Sequence, residues 1–251
     1  MKSVPRWVLV VVLAGGGANG CHREQAAPEP LDFFPLHTDD TWVYEVARPL
    51  RNEHTRMTVR ARGDQFVAPL KRRCHLVEES YSADTNNGGN PETYPIAYYR
   101  EDGFLFRALA LEYRDGEVAD AGIGTAQERF LPDNPNDNSS WESLTTAYDL
   151  GANHSYGVTQ QHRATVDPQT VTVPAGTFAR CLRVDTVAKH RGVHPESGSG
   201  HAAEQAVVLY YADWYAPNVG LVRTIQSSRP DGPALAQIEL VAYDVEGAHR
   251  Q

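Results

Sequence analysis

Histidines, cysteines and one run of oxygen donors are the residues of this chain whose types and spacing could do chemistry. His190, His194 and His201 lie within twelve residues. On a helix the first two would share a face and could hold zinc with a third ligand. Gly192, Pro195, Gly198 and Gly200 interrupt that stretch, and no Glu follows His190 as the zinc pattern H-E-x-x-H requires. It reads as a solvated loop. Asp133 to Ser140 (DNPNDNSS) carries the hard oxygens that calcium takes. It lacks the EF-hand spacing and turn glycine, and Asp and Asn at that density make turns without a metal. Nucleophilic-serine, P-loop and paired-cysteine zinc motifs are missing. The G-x-G-x-x-G at 15–20 (GGGANG) has no strand before it, so it is not read as a dinucleotide site. The sequence therefore assigns no catalytic residue, no metal and no cofactor.

Cys21 is different. The chain opens MKSVPRWVLVVVLAGGGANGC, with Lys2 and Arg6 ahead of an apolar stretch from Trp7 to Ala14, then small residues, then the cysteine. That order is a secretory signal. Eight apolar residues at about 1.5 Å each cannot span a hydrocarbon core of about 30 Å. Ala18-Asn-Gly-Cys21 resembles the bacterial lipobox, with Ala18 for the commoner Leu and Asn19 where a small residue is usual. The resemblance implies cleavage before Cys21 and acylation of its thiol. Two or three acyl chains, at about 0.8 kcal/mol per buried methylene, anchor stably. The expected partner is thus a membrane. The expected location is the bacterial envelope, at the outer membrane facing the periplasm or the cell surface.

Loss of 1–20 leaves 231 of the 251 residues and removes Lys2 and Arg6, taking the formal charge from −9 to −11. An acidic body repels phosphate backbones, so nucleic acid is not an expected partner. Residues 21–32 read as lipidated cysteine and tether, polar and proline-containing. Residues 33–247 read as a single β domain. Cys74 and Cys181 are the cysteines left beyond the anchor. In an oxidising compartment they could pair as one disulfide; two buried free thiols are the alternative.

The elements that must position everything else are short alternating runs broken by turn residues. Trp42, Tyr44 and Val46 alternate with polar neighbours. Met57, Val59 and Ala61 alternate with Arg56, Thr58, Arg60 and Arg62, which predicts one apolar and one basic face. Runs at 96–99 and 104–113 flank Arg100-Glu-Asp-Gly103, a hairpin turn. Further runs cover 178–188, 207–215, 219–225 and 235–245, the last after the turn Arg229-Pro-Asp-Gly-Pro233. A short helix or turn is expected near 143–150, and mobile loops at 82–91 and 190–201. Phe33-Phe-Pro35 before Trp42 is echoed by Phe130-Leu-Pro132 before Trp141, suggesting two related half-sheets meeting near 130. The predicted fold is all-β, a curved antiparallel sheet or open barrel of roughly ten strands, with little helix.

Several segments look familiar together. Phe33-Phe-Pro-Leu36 with Thr41-Trp-Val-Tyr44 resembles the F-P-L…W-Y segment of a group of uncharacterised bacterial lipoproteins. Thr172-Val-Pro-Ala-Gly-Thr-Phe178 with Cys181-Leu-Arg-Val184 resembles that group's V-P-A-G-T-F…C-L-x-V centre. Trp214-Tyr-Ala-Pro-Asn-Val-Gly-Leu-Val222 resembles its W-Y-A-P-x-V-G-L-V turn, and Glu239-Leu-Val-Ala-Tyr243 its closing strand. About a fifth of positions between 33 and 245 take part. The resemblance implies a fold similar to the LolA and LolB carriers, and no enzyme activity. Physically these motifs read as turns and core: Pro174 and Gly176 shape one turn, and Asn218 tolerates positive φ in another.

Trp42, Tyr44, Trp214 and Tyr215 are the candidate groove or core aromatics, in a wider supply that includes Tyr98, Tyr99, Phe104, Phe106, Tyr210 and Tyr211. The function expected is a non-catalytic envelope lipoprotein that binds an apolar ligand or lipid in the hollow of a curved sheet. A scaffold acting on protein partners through its loops is a second reading. A metal-dependent hydrolase using the histidine loop is a third.

Overall fold

The computed structural model describes residues 31–82, 92–109, 111–114, 117–120, 127–136, 138–149, 154–167, 169–192, 205–246 and 248. Sixteen strands account for most of them. The first half of the chain gives β1 (Thr41–Arg48), β2 (Glu53–Val67), β3 (Arg72–Tyr81), β4 (Glu92–Glu101), β5 (Phe104–Ala108), β6 (Leu111–Arg114), β7 (Glu117–Asp120) and β8 (Gln127–Pro132). The second gives β9 (Ser140–Asp149), β10 (His154–Val166), β11 (Val171–Val173), β12 (Gly176–Phe178), β13 (Leu182–Gly192), β14 (Gln205–Ala216), β15 (Gly220–Ser227) and β16 (Ala234–Asp244). Two single 3-10 turns, at Pro49–Arg51 and Ala68–Leu70, are the helical residues described.

Twelve of the strands form one antiparallel sheet in the order β8-β5-β4-β3-β2-β1-β16-β15-β14-β13-β10-β9. The first strand pairs with the last, Trp42 opposite Tyr243. The order therefore divides there into strands from the first and second halves of the chain. The free edges β8 and β9 come back together, where the Trp141 indole N–H donates to the Arg129 carbonyl at 3.1 Å. The sheet nearly closes into a barrel. The expected architecture is what forms, with more strands than the ten read from the sequence.

Alternation decides which side chains point into the curve. On β2, Met57 and Ala61 are buried while Arg56, Arg60 and Arg62 are exposed. Arg60 bonds Asp39 at 2.7 Å and Arg62 bonds Glu78 at 2.5 Å, so the basic face is neutralised on the outside. The turn after β4 is tight: Asp102 (φ 50°) and Gly103 (φ 77°) both take the positive φ of a two-residue hairpin. Asn218 sits at φ 58°, as its place in the W-Y-A-P turn requires, and its backbone N–H donates to the Asp32 carbonyl at 2.6 Å.

One expectation fails. Residues 143–149 are not a helix or turn but the body of β9 (Ser140–Asp149), an edge strand laddered to β10 from Ser140↔Arg163 to Asp149↔His154. Trp141, Ser143 and Thr145 are buried and Glu142 and Leu144 exposed, a period of two that a helix cannot satisfy. The loops expected at 82–91 and 190–201 fall on residues outside those described, apart from Ser82 and the end of β13.

Two small hairpins cover the outer face. β6 and β7 lie over Cys74, Ala97, Tyr99 and Ala108. β11 and β12, the V-P-A-G-T-F motif, join Trp214, Cys181 and Val222 in a second apolar cluster. Cys74 and Cys181 thus sit in separate clusters. Cys74 lies on β3 and Cys181 just before β13, and five strands separate β3 from β13 in the sheet order. The pair that could have formed one disulfide is two buried free thiols in this structure. Burial raises both, each to about 11, so both are protonated at neutral pH.

Candidate functional site

The hollow inside the sheet has a volume of about 380 Å³. That falls in the range, roughly 300–1,000 Å³, of pockets that take small molecules. Its walls come from inward positions on strands all around the sheet. Phe34 and Leu36 join the lining from the segment before β1. The aromatic wall holds Trp42, Tyr44, Tyr98, Phe130, Tyr211 and Tyr215. Phe34 binds this wall together, with its ring 5.0 Å from both Tyr98 and Phe130. The Trp42 indole N–H donates to the Val219 carbonyl at 2.6 Å, and the Tyr44 hydroxyl to the Leu221 carbonyl at 3.0 Å. A Cβ on Gly220, at φ 97°, would lie 3.6 Å from Trp42 Nε1, so the W-Y-A-P turn is fitted against this ring.

Of the four aromatics singled out from the sequence, three line the hollow: Trp42, Tyr44 and Tyr215. Trp214 faces the other way, as alternation next to Tyr215 demands. It is 8% exposed and its indole N–H donates to Asp167 Oδ2 at 3.1 Å. Tyr99 and Phe106 stack on each other 5.2 Å apart, under the first hairpin and away from the hollow.

Sequence reasoning missed the polar part of the wall. Glu79 on β3, Arg107 on β5, Glu128 on β8, His162 on β10 and Asp213 on β14 all line the same space. Arg107 Nε donates to Glu128 Oε1 at 2.5 Å and a terminal nitrogen reaches the same oxygen. The guanidinium also lies 4.6 Å over the Phe130 ring. Burial opposes its charge, but Glu128 together with the Tyr98 and Tyr215 hydroxyls holds its pKa above the usual value. Glu128 is 2% exposed, and its second oxygen, Oε2, has no hydrogen-bond partner. Burial pushes Glu79 up, against the pull of Arg107 and of the Tyr81 hydroxyl. Burial also pushes Asp213 up to about 6, although the Thr224 hydroxyl donates to it at 2.6 Å and Arg107 opposes the shift.

His162 forms a closed network. Ser143 Oγ donates to Gln160 Oε1 at 2.9 Å and lies 2.8 Å from His162 Nε2. With that proton spent, Nε2 carries the ring hydrogen and Nδ1 accepts from Thr186 Oγ1, at 2.8 Å. Trp141 stacks on the imidazole at 4.9 Å. Burial lowers the ring's pKa to about 4, so it is neutral. The Ser143–His162 distance is that of a nucleophile and its base. But Ser143 is buried outside the lining of the hollow, and a hydroxyl stands where an orienting carboxylate would. The arrangement ties β9, β10 and β13 together through Ser143, His162 and Thr186.

The other chemistry-bearing residues stay apart. Asp133 takes an ion pair from Arg100, Asn138 accepts from Arg163 at 2.8 Å, and Asn136 is bonded to Ser139, so these described residues of the run are spent on local structure. Among the described residues, no three His, Cys, Asp or Glu side chains gather as metal ligands would. Cys21, His194 and His201 lie outside the described residues, as does the side chain of His190.

The missed residues had a signal. Val77-x-Glu79-x-Tyr81 and Tyr211-x-Asp213-x-Tyr215 each set a carboxylate in phase with the apolar face of a strand. A charge in that register must point into the sheet.

No protein-family model matches the chain, and no curated protein matches it. Two solved structures share its fold. One is a protein from Parabacteroides distasonis described as a lipoprotein, 19% identical over 86% of this chain and 100% of its own, with a TM-score of 0.55. The other is a protein from Bacteroides fragilis described as exported and as having a YmcC-like fold. It is 12% identical over 85% of this chain and 99% of its own, with a TM-score of 0.54.

Proposed function

We propose that this chain is a non-catalytic lipoprotein of the bacterial cell envelope that holds an apolar ligand or lipid in the hollow of its barrel. The observation that carries this is the hollow itself: about 380 Å³, walled by aromatic and aliphatic side chains, inside a sheet that nearly closes. A core without a ligand packs to crystal-like density and leaves few voids larger than a water molecule. The domain begins some ten residues after Cys21, a tether long enough to keep it clear of an anchoring membrane. In the same reading residues 33–247 are one β domain of two related halves, each opening on a strand whose second residue is Trp, Trp42 and Trp141.

Mild extraction of the full-length protein followed by native mass spectrometry tests the reading. The expected spectrum shows acyl chains on the polypeptide and one small amphiphile bound without a covalent link. A bare polypeptide mass from freshly extracted protein contradicts the ligand. Normal palmitate labelling of a Cys21→Ser variant contradicts the anchor.

A further inference from the structure

The hollow is not uniformly greasy, and its polar side has a sign. Its ionisable lining is three carboxylates, Glu79, Glu128 and Asp213, against one guanidinium, Arg107. His162 adds nothing, because both ring nitrogens face hydroxyls and the ring is neutral. Arg107 is already engaged: two of its nitrogens go to Glu128 and its face to Phe130. Any ligand with a carboxylate or phosphate would have to compete with Glu128 for it and would set a further negative charge among three. A neutral hydrocarbon would leave Glu79 and Asp213 buried beside it with no cation but Arg107, which Glu128 already holds, and that is costly.

We infer that the ligand is an amphiphile whose polar end is a cation, an amine or quaternary ammonium, held against Glu79, Glu128 and Asp213 with its apolar body along the aromatic wall. Three independent features agree. Glu128 is 2% exposed and turns one oxygen to no partner at all, an acceptor without a donor. Glu79 and Asp213 line the same hollow as the Arg107–Glu128 pair, and the charge of Arg107 is felt at both. The hollow is also lined by the rings of Tyr98 and Tyr215, and aromatic rings attract cations. Burial raises both Glu79 and Asp213, a cost that a positive charge placed beside them would relieve.

The inference rests on the reading of the hollow as a binding site, and the test separates the two. Dodecylamine, dodecanol and dodecanoate share one chain and differ in head-group charge. Each is added at equal concentration, near pH 7.5, to full-length protein in a mild non-ionic detergent, and occupancy is read by native mass spectrometry. The amine should exceed the dodecanoate by roughly tenfold or more, since a charged hydrogen bond is worth about 1.5–3 kcal/mol. The double variant Glu79→Gln/Asp213→Asn should lose most of that preference while unfolding no earlier than the parent. A surface pair, Glu142→Gln/Asp231→Asn, removes the same charge outside the hollow and should keep it. Glu128 is left alone because Arg107 needs it. Dodecanoate binding as well as the amine, or a preference unchanged by the double variant, overturns the cation and leaves the hollow a binding site. No adduct of any of the three overturns both.

Discussion

Trp214 and Tyr215 are consecutive residues, and the two sides of the sheet they face are built on opposite rules. Behind Trp214 the β11–β12 hairpin covers the sheet, and Val171, Val173, Cys181 and Val222 belong to the same buried apolar cluster. Its polar groups are settled: the indole N–H has Asp167 and Cys181 Sγ reaches the Phe178 carbonyl at 3.7 Å. In front of Tyr215 lies a hollow in which one carboxylate oxygen has no partner and two carboxylates are pushed up. The first region is what a chain does to be stable. The second holds groups that cost stability, a cost that the proposed ligand would offset.

If the contrast is right, truncation hurts most on the Trp214 side. Trp214→Ala should cost about 3–5 kcal/mol through lost transfer energy and a cavity, and should leave ligand retention per folded molecule unchanged. Chemical denaturation beside a ligand-occupancy measurement reads both. Loss of ligand with unchanged stability would move Trp214 to the functional side. Glu128→Ala comes next. It strands the Arg107 charge, and the cost should sit near the low end of about 3–5 kcal/mol because the guanidinium keeps some surface in the hollow. Arg107→Met in the same background should recover part of it.

Asp213→Asn should go the other way. In the folded protein this carboxyl titrates near 6 instead of 3.8. Between those values the folded state holds a proton that the unfolded state has released, so folding stability falls as pH rises from about 4 to about 6. At pH 7 the whole penalty is present, and the variant should be more stable than the parent by about 1–2 kcal/mol after allowance for water in the hollow. Below about pH 4 the advantage should vanish. Melting curves at pH 4 and pH 7 check the sign; a variant that is less stable at pH 7 would show Asp213 to be a structural ion. Smallest of all is Asn218→Gly. The position needs φ near 58°, which Gly takes freely, so the midpoint should stay within about 0.5 kcal/mol of the parent.

Strand alternation made much of this molecule legible before any coordinates. Met57 and Ala61 against Arg56 and Arg60, the turn at Asp102-Gly103 and the positive φ of Asn218 follow from residue types alone. The aromatic wall was legible in part, because Trp42, Tyr44 and Tyr215 share a phase with their apolar neighbours. Trp214 was ambiguous, since which face of β14 is the hollow depends on the curl of the whole sheet. The carboxylates were hidden for a simpler reason: composition counts Glu79, Glu128 and Asp213 as surface charges, and their register places them inside. Arg107 and Glu128 are also joined only by the β5–β8 pairing, which skips the β6–β7 hairpin. Residues 143–149 misled because the buried phase of β9 is polar: Ser143 and Thr145 point inward and Leu144 is exposed, so no apolar alternation marks the strand.

Neighbouring tyrosines give the most direct test of the hollow as an occupied site. Tyr211 lines it, and Tyr210, on the same strand, points to the opposite face. Each can be replaced in turn by photoreactive p-benzoylphenylalanine in growing cells, the cells irradiated, and the intact protein weighed. The account predicts a small-molecule adduct of one defined mass from position 211 and none of that mass from position 210. No adduct at 211, or the same adduct at both positions, would contradict it.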